Sequence, residues 1–513
     1  MRLLPTLALL LVLAAPAAAQ DAVSETYLVP TVDDKQIYVK VRRPAGDAKA
    51  PIILTYSPYN VLSGGDQAND SLAARYVPEG YARAVADVLG TKNSSGCWDY
   101  GGLKEQQSGV DLVNFLAKQP WSNGKVAMIG GSYDGTTANM VAARSSDAPG
   151  LAAIVPIAAI SRWYGYAFYA GVRYSGNSQN ATDEGFDTPL GFDFGFGREP
   201  ADDPAAGPQP TIDRALPCDS ADHTAHGYST APDYDDFWLQ RDYRKDAKRF
   251  TVPALIAHGW QDFNVKQDEG VGLFEALKER RAWTGLYLTQ GTHGSPGGDP
   301  WDTLLDNFFL RFLKGGTPKD LPAHGLVYTT PRDASGELEI QPEQDWPPPT
   351  TGDVEFPLGK EKRSYTDPGT VSEETAAQNL DGEGGWLVYR SEPVLEEARI
   401  AGGAALDLTL STDRGHGHLV PTLFDEGPDG TLTPITRGFL NLAYRDGWSK
   451  GVSMPVGEPV RAVVEFLPQD WVLAKGHRLT VELASSNVAW AVPDQPGLTV
   501  TVDEARSRLL VPI

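Results

Sequence analysis

The sequence lacks several features that would assign it at once to a broad class of protein. It has only two cysteines in 513 residues and no CxxC pair or His/Cys cluster, so we predict no metal site and no cofactor. Beyond the amino terminus, no stretch has the roughly 18 or more consecutive apolar residues of a membrane span. The net charge of -23 argues against nucleic acid and anionic membrane surfaces as partners.

The composition is that of a folded soluble protein, with 41% apolar and 22% charged residues. A chain of 513 residues is too long for one ordinary hydrophobic core. We therefore expect two or three domains.

The amino terminus has the pattern of a secretory signal. Arg2 precedes an apolar run over residues 3–13, and the small residues Ala17 to Ala19 precede Gln20. We predict a signal peptide over residues 1–19 and a secreted or periplasmic mature protein. In such an oxidising compartment Cys97 and Cys218 are candidates for a disulfide, with two unpaired thiols as the alternative.

Strands and helices alternate through the first part of the chain, which predicts an α/β fold with a mostly parallel sheet covered on both faces. After a hairpin over residues 26–42, the predicted strands are 52–56, 83–88, 125–130, 151–157, 254–258 and 286–289. The predicted helices are 105–118, 136–145, 268–279 and 301–313.

Two segments interrupt this alternation. Residues 160–250 are rich in aromatic, Gly, Pro and Asp residues, and we interpret them as a cap over the carboxyl ends of the strands. The motif DWPPPTTGD over residues 345–353 predicts a stiff linker. Alternating apolar residues beyond it predict an all-β sandwich or jelly roll. The expected domains are thus 20–340 and 341–513.

Ser132 lies in the motif GGSYDG, between a predicted buried strand and a predicted helix. Small neighbours, Gly130 and Gly135, would permit a tight turn that exposes the serine as a nucleophile at the strand end. The helix amino terminus after it would favour a developing oxyanion. The alternative is a serine that merely caps the helix.

A nucleophilic serine needs a base and a carboxylate that orients it. Asp262 and His293 follow two later strands, in the order Ser, Asp, His that α/β-hydrolases use. Each of them alone could be an ordinary loop residue. His258 is a rival base, but it lies on the same strand–loop unit as Asp262, and we interpret it as a packing residue.

An oxyanion hole needs two hydrogen-bond donors. The N–H of Tyr133, directly after Ser132, is one candidate. The second candidate is the phenol of Tyr59, in the loop after the strand over 52–56. The alternative for Tyr59 is a half-buried aromatic residue with a hydrogen-bonded tip.

Taken together, GGSYDG, the upstream SPYN, HGWQDFNVK and QGTHG resemble α/β-hydrolases of the Xaa-Pro dipeptidyl-peptidase and cocaine-esterase type, serine peptidase family S15. The resemblance implies an α/β-hydrolase fold with a mostly helical cap insertion, followed by an all-β jelly-roll domain. It implies Ser132 as nucleophile, Asp262 and His293 as its partners, and Tyr59 and Tyr133 as oxyanion donors.

The segment ISRWYGY resembles the cap of the peptidase branch of this family. Trp163, Tyr164 and Tyr166 are therefore candidate walls of a substrate pocket, because a proline ring packs well on aromatic rings. The alternative is that they belong to the core of the cap.

We therefore expect a secreted serine hydrolase that forms an acyl-enzyme and releases Xaa-Pro dipeptides from peptide amino termini. Its partner is a peptide or a small acyl substrate. One alternative is an acyl esterase or amidase of the cocaine-esterase or α-amino-acid ester hydrolase type. A second is an inert binding protein whose β domain holds a carbohydrate. The assembly state is open, and a homodimer is one alternative.

Overall fold

The computed structural model describes residues 22–62, 67–174, 218–227, 229–381 and 384–513. The strands of the first part of the chain are β1 (Ala22–Pro30), β2 (Gln36–Pro44), β3 (Ala50–Ser57), β4 (Ala82–Asp87), β5 (Ser122–Gly131), β6 (Leu151–Ile157), β7 (Phe168–Tyr169), β8 (Val172–Arg173), β9 (Ala254–Gly259), β10 (Thr284–Thr289) and β11 (Leu326–Thr329). The helices are α1 (Ser71–Tyr76), α2 (Leu103–Ala117), α3 (Tyr133–Ala142), α4 (Trp163–Ala167), α5 (Ser220–Gly227), α6 (Asp236–Leu239), α7 (Asp268–Lys278) and α8 (Trp301–Lys314).

The strands of the later part are β12 (Arg332–Asp333), β13 (Gly336–Glu337), β14 (Gln341–Glu343), β15 (Asp353–Pro357), β16 (Lys362–Thr366), β17 (Trp386–Arg390), β18 (Ala398–Gly402), β19 (Ala405–Thr412), β20 (His418–Leu419), β21 (Thr422–Glu426), β22 (Leu432–Arg437), β23 (Leu440–Asn441), β24 (Val460–Glu465), β25 (Gln469–Leu473), β26 (Arg478–Ala484), β27 (Thr499–Asp503) and β28 (Arg508–Pro512). One short helix, α9 (Glu373–Gln378), lies among them.

A ten-stranded sheet in the order β1-β2-β4-β3-β5-β6-β9-β10-β11-β14 forms the centre of the first part. Strands β4 to β11 along this order are parallel, while β1, β2 and β14 pair antiparallel at the two edges. All residues of β3, β4 and β9 are buried, as expected for parallel strands that are covered on both faces.

Helices cover both faces of this sheet. One buried cluster joins the sheet to α2, α3 and α7, and includes Leu112, Met140 and Phe274. A second cluster joins it to α1 and α8, and includes Tyr76 and Phe308. The predicted α/β architecture is confirmed, and the helices and strands lie within a few residues of their expected positions.

The part of the predicted cap that the structure describes consists of α4, the short ribbon of β7 and β8, α5 and α6. Residues 175–217 of the cap lie outside the described residues. The cap segments follow β6 in the chain, whereas Ser132, Asp262 and His293 lie directly after the carboxyl ends of β5, β9 and β10.

The later part of the chain is mostly β, as predicted. Its sheets have the orders β15-β28-β19-β27-β16, β17-β26-β21-β22 and β13-β12-β25-β18, and β24 also pairs with β19. Apolar side chains between them form one buried cluster, which includes Leu408, Leu423 and Trp471. The finer jelly-roll topology and the domain bounds at 340/341 stay predictions.

The segment predicted as a stiff linker is packed against the first part of the chain. Trp346 is fully buried, and its ring lies 5.0 Å from the ring of Trp260, centroid to centroid. Asp345 accepts a hydrogen bond from the Lys278 ammonium at 3.1 Å. The segment therefore fixes the later β region to the sheet instead of spacing the two apart.

Candidate active site

Ser132 stands on a strained turn between β5 and α3. Its backbone has φ 58° and ψ -127°, a conformation that few residues other than glycine adopt. It occupies the N-cap position of α3, but within the described residues its side chain makes no capping hydrogen bond. The turn therefore presents the hydroxyl outward, as a nucleophile elbow does.

The two glycines of the motif are needed for packing. A Cβ atom at Gly130 would lie 2.3 Å from the Cβ of Asp134, and one at Gly135 would lie 2.7 Å from the carbonyl oxygen of Gly130. Both distances are too short for any side chain. The strand and the helix can meet at this sharp angle only because both positions are glycine.

The phenol of Tyr59 lies between the side chain of Ser132 and the backbone N–H of Tyr133. Its hydroxyl donates a hydrogen bond to Ser132 Oγ at 2.9 Å and accepts one from the Tyr133 backbone N–H at 3.2 Å. Burial raises the pKa of Tyr59 to about 12, so the phenol keeps its proton near neutral pH. Two donors, one O–H and one N–H, thus meet beside Ser132.

Asp262 and His293 are brought together at the carboxyl edge of the sheet. The Nδ1 atom of His293 lies 2.8 Å from Asp262 Oδ2, and Asp262 Oδ1 accepts the backbone N–H groups of Asn264 and Val265. Burial alone would raise the pKa of Asp262, but hydrogen bonds from His258 and His293 outweigh it and lower the pKa. The carboxylate is therefore ionised, and it can orient the imidazole.

The loops that carry these groups lie against one another. A Cβ atom at Gly259 would lie 2.1 Å from the carbonyl oxygen of Gly291, so the loop of Asp262 and the loop of His293 touch there. The hydroxyl of Ser295 would lie 3.5 Å from a Cβ atom at Gly131, beside the Ser132 turn. Within the described chain, Ser132 Oγ bonds to Tyr59 and not to His293.

His258 also contacts Asp262, with its Nε2 atom 3.4 Å from Asp262 Oδ2. The same nitrogen lies 2.8 Å from the carbonyl oxygen of Val265. The side chain of His258 is fully buried, whereas that of His293 is 27% exposed. Only His293 is placed where a substrate could meet it.

The three aromatic cap residues occupy different places. The ring of Trp163 packs edge-on against Tyr133 and Tyr166, with centroids 5.4 and 5.9 Å apart. The hydroxyl of Tyr166 lies 3.5 Å from Asn264 Oδ1, next to the Asp262 loop. Tyr164 is fully buried and donates to the Pro232 carbonyl among the aromatic rings of the cap core. Tyr166 therefore lies next to the Asp262 loop, whereas Trp163 and Tyr164 are buried, with 2% and 0% exposure.

Cys97 and Cys218 are joined in a disulfide, with Cα atoms 4.9 Å apart. The bond links the glycine-rich loop before α2 to the cap. The neighbouring backbone strengthens this link, since the Cys218 N–H donates to the Trp98 carbonyl at 2.7 Å.

Two buried ionisable residues near the site were not singled out from the sequence. Glu105 accepts a hydrogen bond from the Tyr133 hydroxyl at 3.0 Å. Lys266 donates to the Tyr166 carbonyl at 3.0 Å and lies 3.8 Å from the centre of the Tyr174 ring. Burial lowers the pKa of Lys266 to about 8. The only sequence signal was the closeness of Lys266 to Asp262 along the chain.

The later β region holds the Asp262 loop from outside. The side-chain amide of Gln469 donates to the Trp260 carbonyl at 2.9 Å. The ring of Phe263 packs on Trp490 with centroids 4.9 Å apart, and the Arg437 guanidinium lies within 4.7 Å of both ring centres. The loop that carries Asp262 is thus held in place by contacts from the later β region.

In the part of the chain that the structure describes, no helix is long and apolar enough to cross a membrane. Among the same residues, no group of three or more His, Cys, Asp or Glu side chains is arranged to hold a metal ion.

Comparison with known proteins places this arrangement in a family. The family model described as "X-Pro dipeptidyl-peptidase (S15 family)" matches residues 33–295. The one described as "X-Pro dipeptidyl-peptidase C-terminal non-catalytic domain" matches residues 322–510.

Among curated relatives, a protein of Streptomyces avermitilis named "putative Xaa-Pro dipeptidyl-peptidase" is 26% identical over 91% of this chain and 78% of its own length. Cocaine esterase from Rhodococcus is 24% identical over 91% of each chain. The crystal structure of an aminopeptidase from a marine sediment Thaumarchaeota archaeon has the same fold, with a TM-score of 0.74, 19% identity and 98% of each chain covered. The chain is thus a serine hydrolase, and it belongs to the X-Pro dipeptidyl-peptidase (S15) family.

Proposed function

We propose that the protein hydrolyses its substrates through an acyl-enzyme on Ser132. His293 takes the Ser132 proton as Oγ attacks the substrate carbonyl carbon, and Asp262 stabilises the imidazolium that forms. His293 then gives that proton to the leaving amine as the C–N bond breaks. Water, with His293 again as the base, releases the acid and restores Ser132.

The observation that carries this proposal is the position of the Tyr59 hydroxyl, between Ser132 Oγ at 2.9 Å and the Tyr133 N–H at 3.2 Å. Both donors lie beside the nucleophile, with the Tyr133 N–H bonded to the phenol and the phenol bonded to Ser132 Oγ. When a substrate carbonyl enters, each can turn its hydrogen bond to the developing oxyanion without a large rearrangement.

We further propose that the substrates are peptides with proline second from a free amino end, cleaved after that proline. The family assignment supports this specificity, and so does the partly buried ring of Tyr166 beside the Asp262 loop, on which a proline ring could pack. The substrate amine needs an acceptor. Of the acidic cap residues, Asp183, Glu184 and Asp187 lie outside the described residues. Asp233 and Asp235 bind Tyr444 and His226.

One observation favours a second candidate, an acyl esterase. Cocaine esterase aligns over 91% of both chains, as completely as the relatives that are named for peptidase activity. Its triad chemistry would be the same, and only the acyl group and leaving group would differ.

A paired rate assay on the purified protein separates the two candidates. One substrate is an alanyl-prolyl anilide with a free amine, the other is the same compound with an acetylated amine, and Ser132→Ala is the blank. Cleavage of the free-amine form alone is the expected result. Turnover of simple esters, with equal or no cleavage of both anilides, would favour the esterase instead. Turnover that survives in Ser132→Ala would overturn the acyl-enzyme mechanism.

We also propose that residues 1–19 are a signal peptide and that the mature protein acts outside the cytoplasm. The apolar run over residues 3–13 and the single disulfide support this proposal. Mass spectrometry of protein collected from the native host should find a chain that begins at Gln20. An intact Met1 or Arg2 end would contradict it.

A further inference from the structure

The side chain of Tyr133 is held in a buried hydrogen-bonded network. The indole N–H of Trp98 donates to the Tyr133 hydroxyl at 2.8 Å, and that hydroxyl donates to Glu105 Oε2 at 3.0 Å. Exposure is 1% for Trp98, 6% for Tyr133 and 0% for Glu105. The indole N–H of Trp98, the Tyr133 hydroxyl and Glu105 Oε2 therefore bond to one another in place of water.

The partners of Tyr133 are themselves fixed. Glu105 Oε2 also accepts the backbone N–H of Gly101 at 2.8 Å, and the Gly101 carbonyl accepts from Gln106 at 2.9 Å. A Cβ atom at Gly101 would lie 2.3 Å from the hydroxyl of Tyr243, so the loop fits closely against the cap. Trp98 stacks on Tyr100 with ring centres 4.1 Å apart, directly after the disulfide at Cys97.

We propose that Trp98 and Glu105 are positioning residues that fix the direction of the Tyr133 N–H towards the oxyanion. This inference rests on the proposed function, in which Ser132 is the nucleophile and Tyr133 donates from its backbone. The Tyr133 N–H belongs to the peptide that follows the strained Ser132, so a small rotation there would turn the donor away. Anchoring the Tyr133 ring through its hydroxyl opposes such a rotation.

The physical reason is preorganisation. An oxyanion donor accelerates the reaction only if it already points to the place where charge develops, and small misplacements are costly. The charge of Glu105 is not required for this role. Burial raises the pKa of Glu105 to about 8, so at neutral pH the group carries its proton and glutamine is a close replacement.

The test is a double-mutant cycle with Trp98→Phe, Tyr133→Phe and the pair together. Trp98→Phe keeps the aromatic stack and removes the N–H, and Tyr133→Phe keeps the backbone donor and removes the hydroxyl. We expect each single variant to lower kcat roughly 10-fold with KM unchanged within about twofold. The double variant should be no slower than Tyr133→Phe, because the two share one hydrogen bond.

Two variants of Glu105 test the same positioning role if Trp98→Phe folds poorly. Glu105→Gln should keep kcat within about twofold of the parent protein, while Glu105→Leu should lower it like Tyr133→Phe. Trp283→Phe is the matched control, because it removes an N–H that the buried Trp283 donates to the Pro322 carbonyl, in another part of the sheet. It should leave kcat and KM unchanged.

The outcomes separate this inference from the proposed function. If Ser132→Ala is inactive but Trp98→Phe and Tyr133→Phe turn over at the parent rate, or if their effects multiply in the double variant, the positioning role is wrong. If turnover of the parent protein does not depend on Ser132, and a fluorophosphonate does not label that residue, the proposed function itself is wrong.

Discussion

His293 and His258 share one carboxylate oxygen, because Asp262 Oδ2 lies 2.8 Å from His293 Nδ1 and 3.4 Å from His258 Nε2. The two histidines differ in access, with side chains that are 27% and 0% exposed. Their roles should differ accordingly. The exposed histidine can exchange protons with a substrate, while the buried one holds the Asp262 loop through the Val265 carbonyl.

Replacing each histidine with asparagine should separate these roles. His293→Asn should lower kcat by about 10⁴ or more, because the base is lost. His258→Asn should keep kcat within roughly tenfold and lower the free energy of unfolding by about 1–3 kcal/mol, because a buried hydrogen bond is lost. Steady-state rates and denaturant unfolding measure both effects. The opposite pattern would make His258 the base.

Tyr59→Phe removes one of the two oxyanion donors and leaves the ring in place. We expect kcat to fall by about 10²–10³ with little change in stability. Tyr287→Phe is the matched control, since Tyr287 is a buried residue of β10 in the core on the α8 side of the sheet. An unchanged rate in Tyr59→Phe would remove the phenol from the oxyanion site.

Glu482 gives the β region a pH-dependent stability. It is 1% exposed, and burial raises its pKa from 4.5 to about 8, although the Thr422 hydroxyl opposes the shift. The folded protein therefore binds a proton that the unfolded chain has released, so stability falls as pH rises from 4.5 to 8. At pH 8 the penalty is on the order of 4 kcal/mol.

Glu482→Gln should remove that penalty. Relative to the parent protein, its free energy of unfolding should gain more at pH 8 than at pH 5, as measured by urea unfolding at both values. Glu396→Gln is the control, because the Glu396 side chain is 85% exposed. Equal differences at the two pH values would mean that Glu482 ionises normally in the folded protein.

The disulfide closes a long loop, because Cys97 and Cys218 are separated by 121 positions in the sequence. Removing it in Cys97→Ser/Cys218→Ser should lower the free energy of unfolding by about 4 kcal/mol, chiefly because the unfolded chain gains entropy. Reductant should destabilise the parent protein by a similar amount and leave the double variant unchanged. Equal stability with and without reductant would show that the bond does not form.

The sequence predicted the α/β fold and the contact between Asp262 and His293 for one reason. Parallel strands end at a common edge, so polar residues placed after buried strands must gather there. The direction of a side chain is not fixed in this way. In the sequence, Glu105 is an acidic residue at the start of a predicted helix, where the helix dipole favours a negative charge. Nothing in the pattern showed that its side chain is buried and bonds to Tyr133.

The cap aromatics illustrate the same limit. Trp163, Tyr164 and Tyr166 fall within a five-residue helix, α4. Trp163 and Tyr166, three residues apart, share one face and pack on each other, while Tyr164 lies on another face. An apolar ring suits a substrate pocket and a protein core equally well. Only tertiary contacts placed Tyr166 beside Asn264 and Tyr164 against the Pro232 carbonyl. The packing of the proline-rich segment could not be predicted for a related reason, since the burial of Trp346 depends on a distant partner, Trp260.

The contacts that Gln469 and Trp490 make with the Asp262 loop have a consequence for how the sequence of this protein can change. A substitution in the β region can therefore displace the Asp262 loop without any contact to substrate. Replacing the later β region with that of a relative would disrupt these contacts unless residues 260–266 were replaced together with it. The two parts of the chain therefore form one functional unit, even though Ser132 lies in only the first of them.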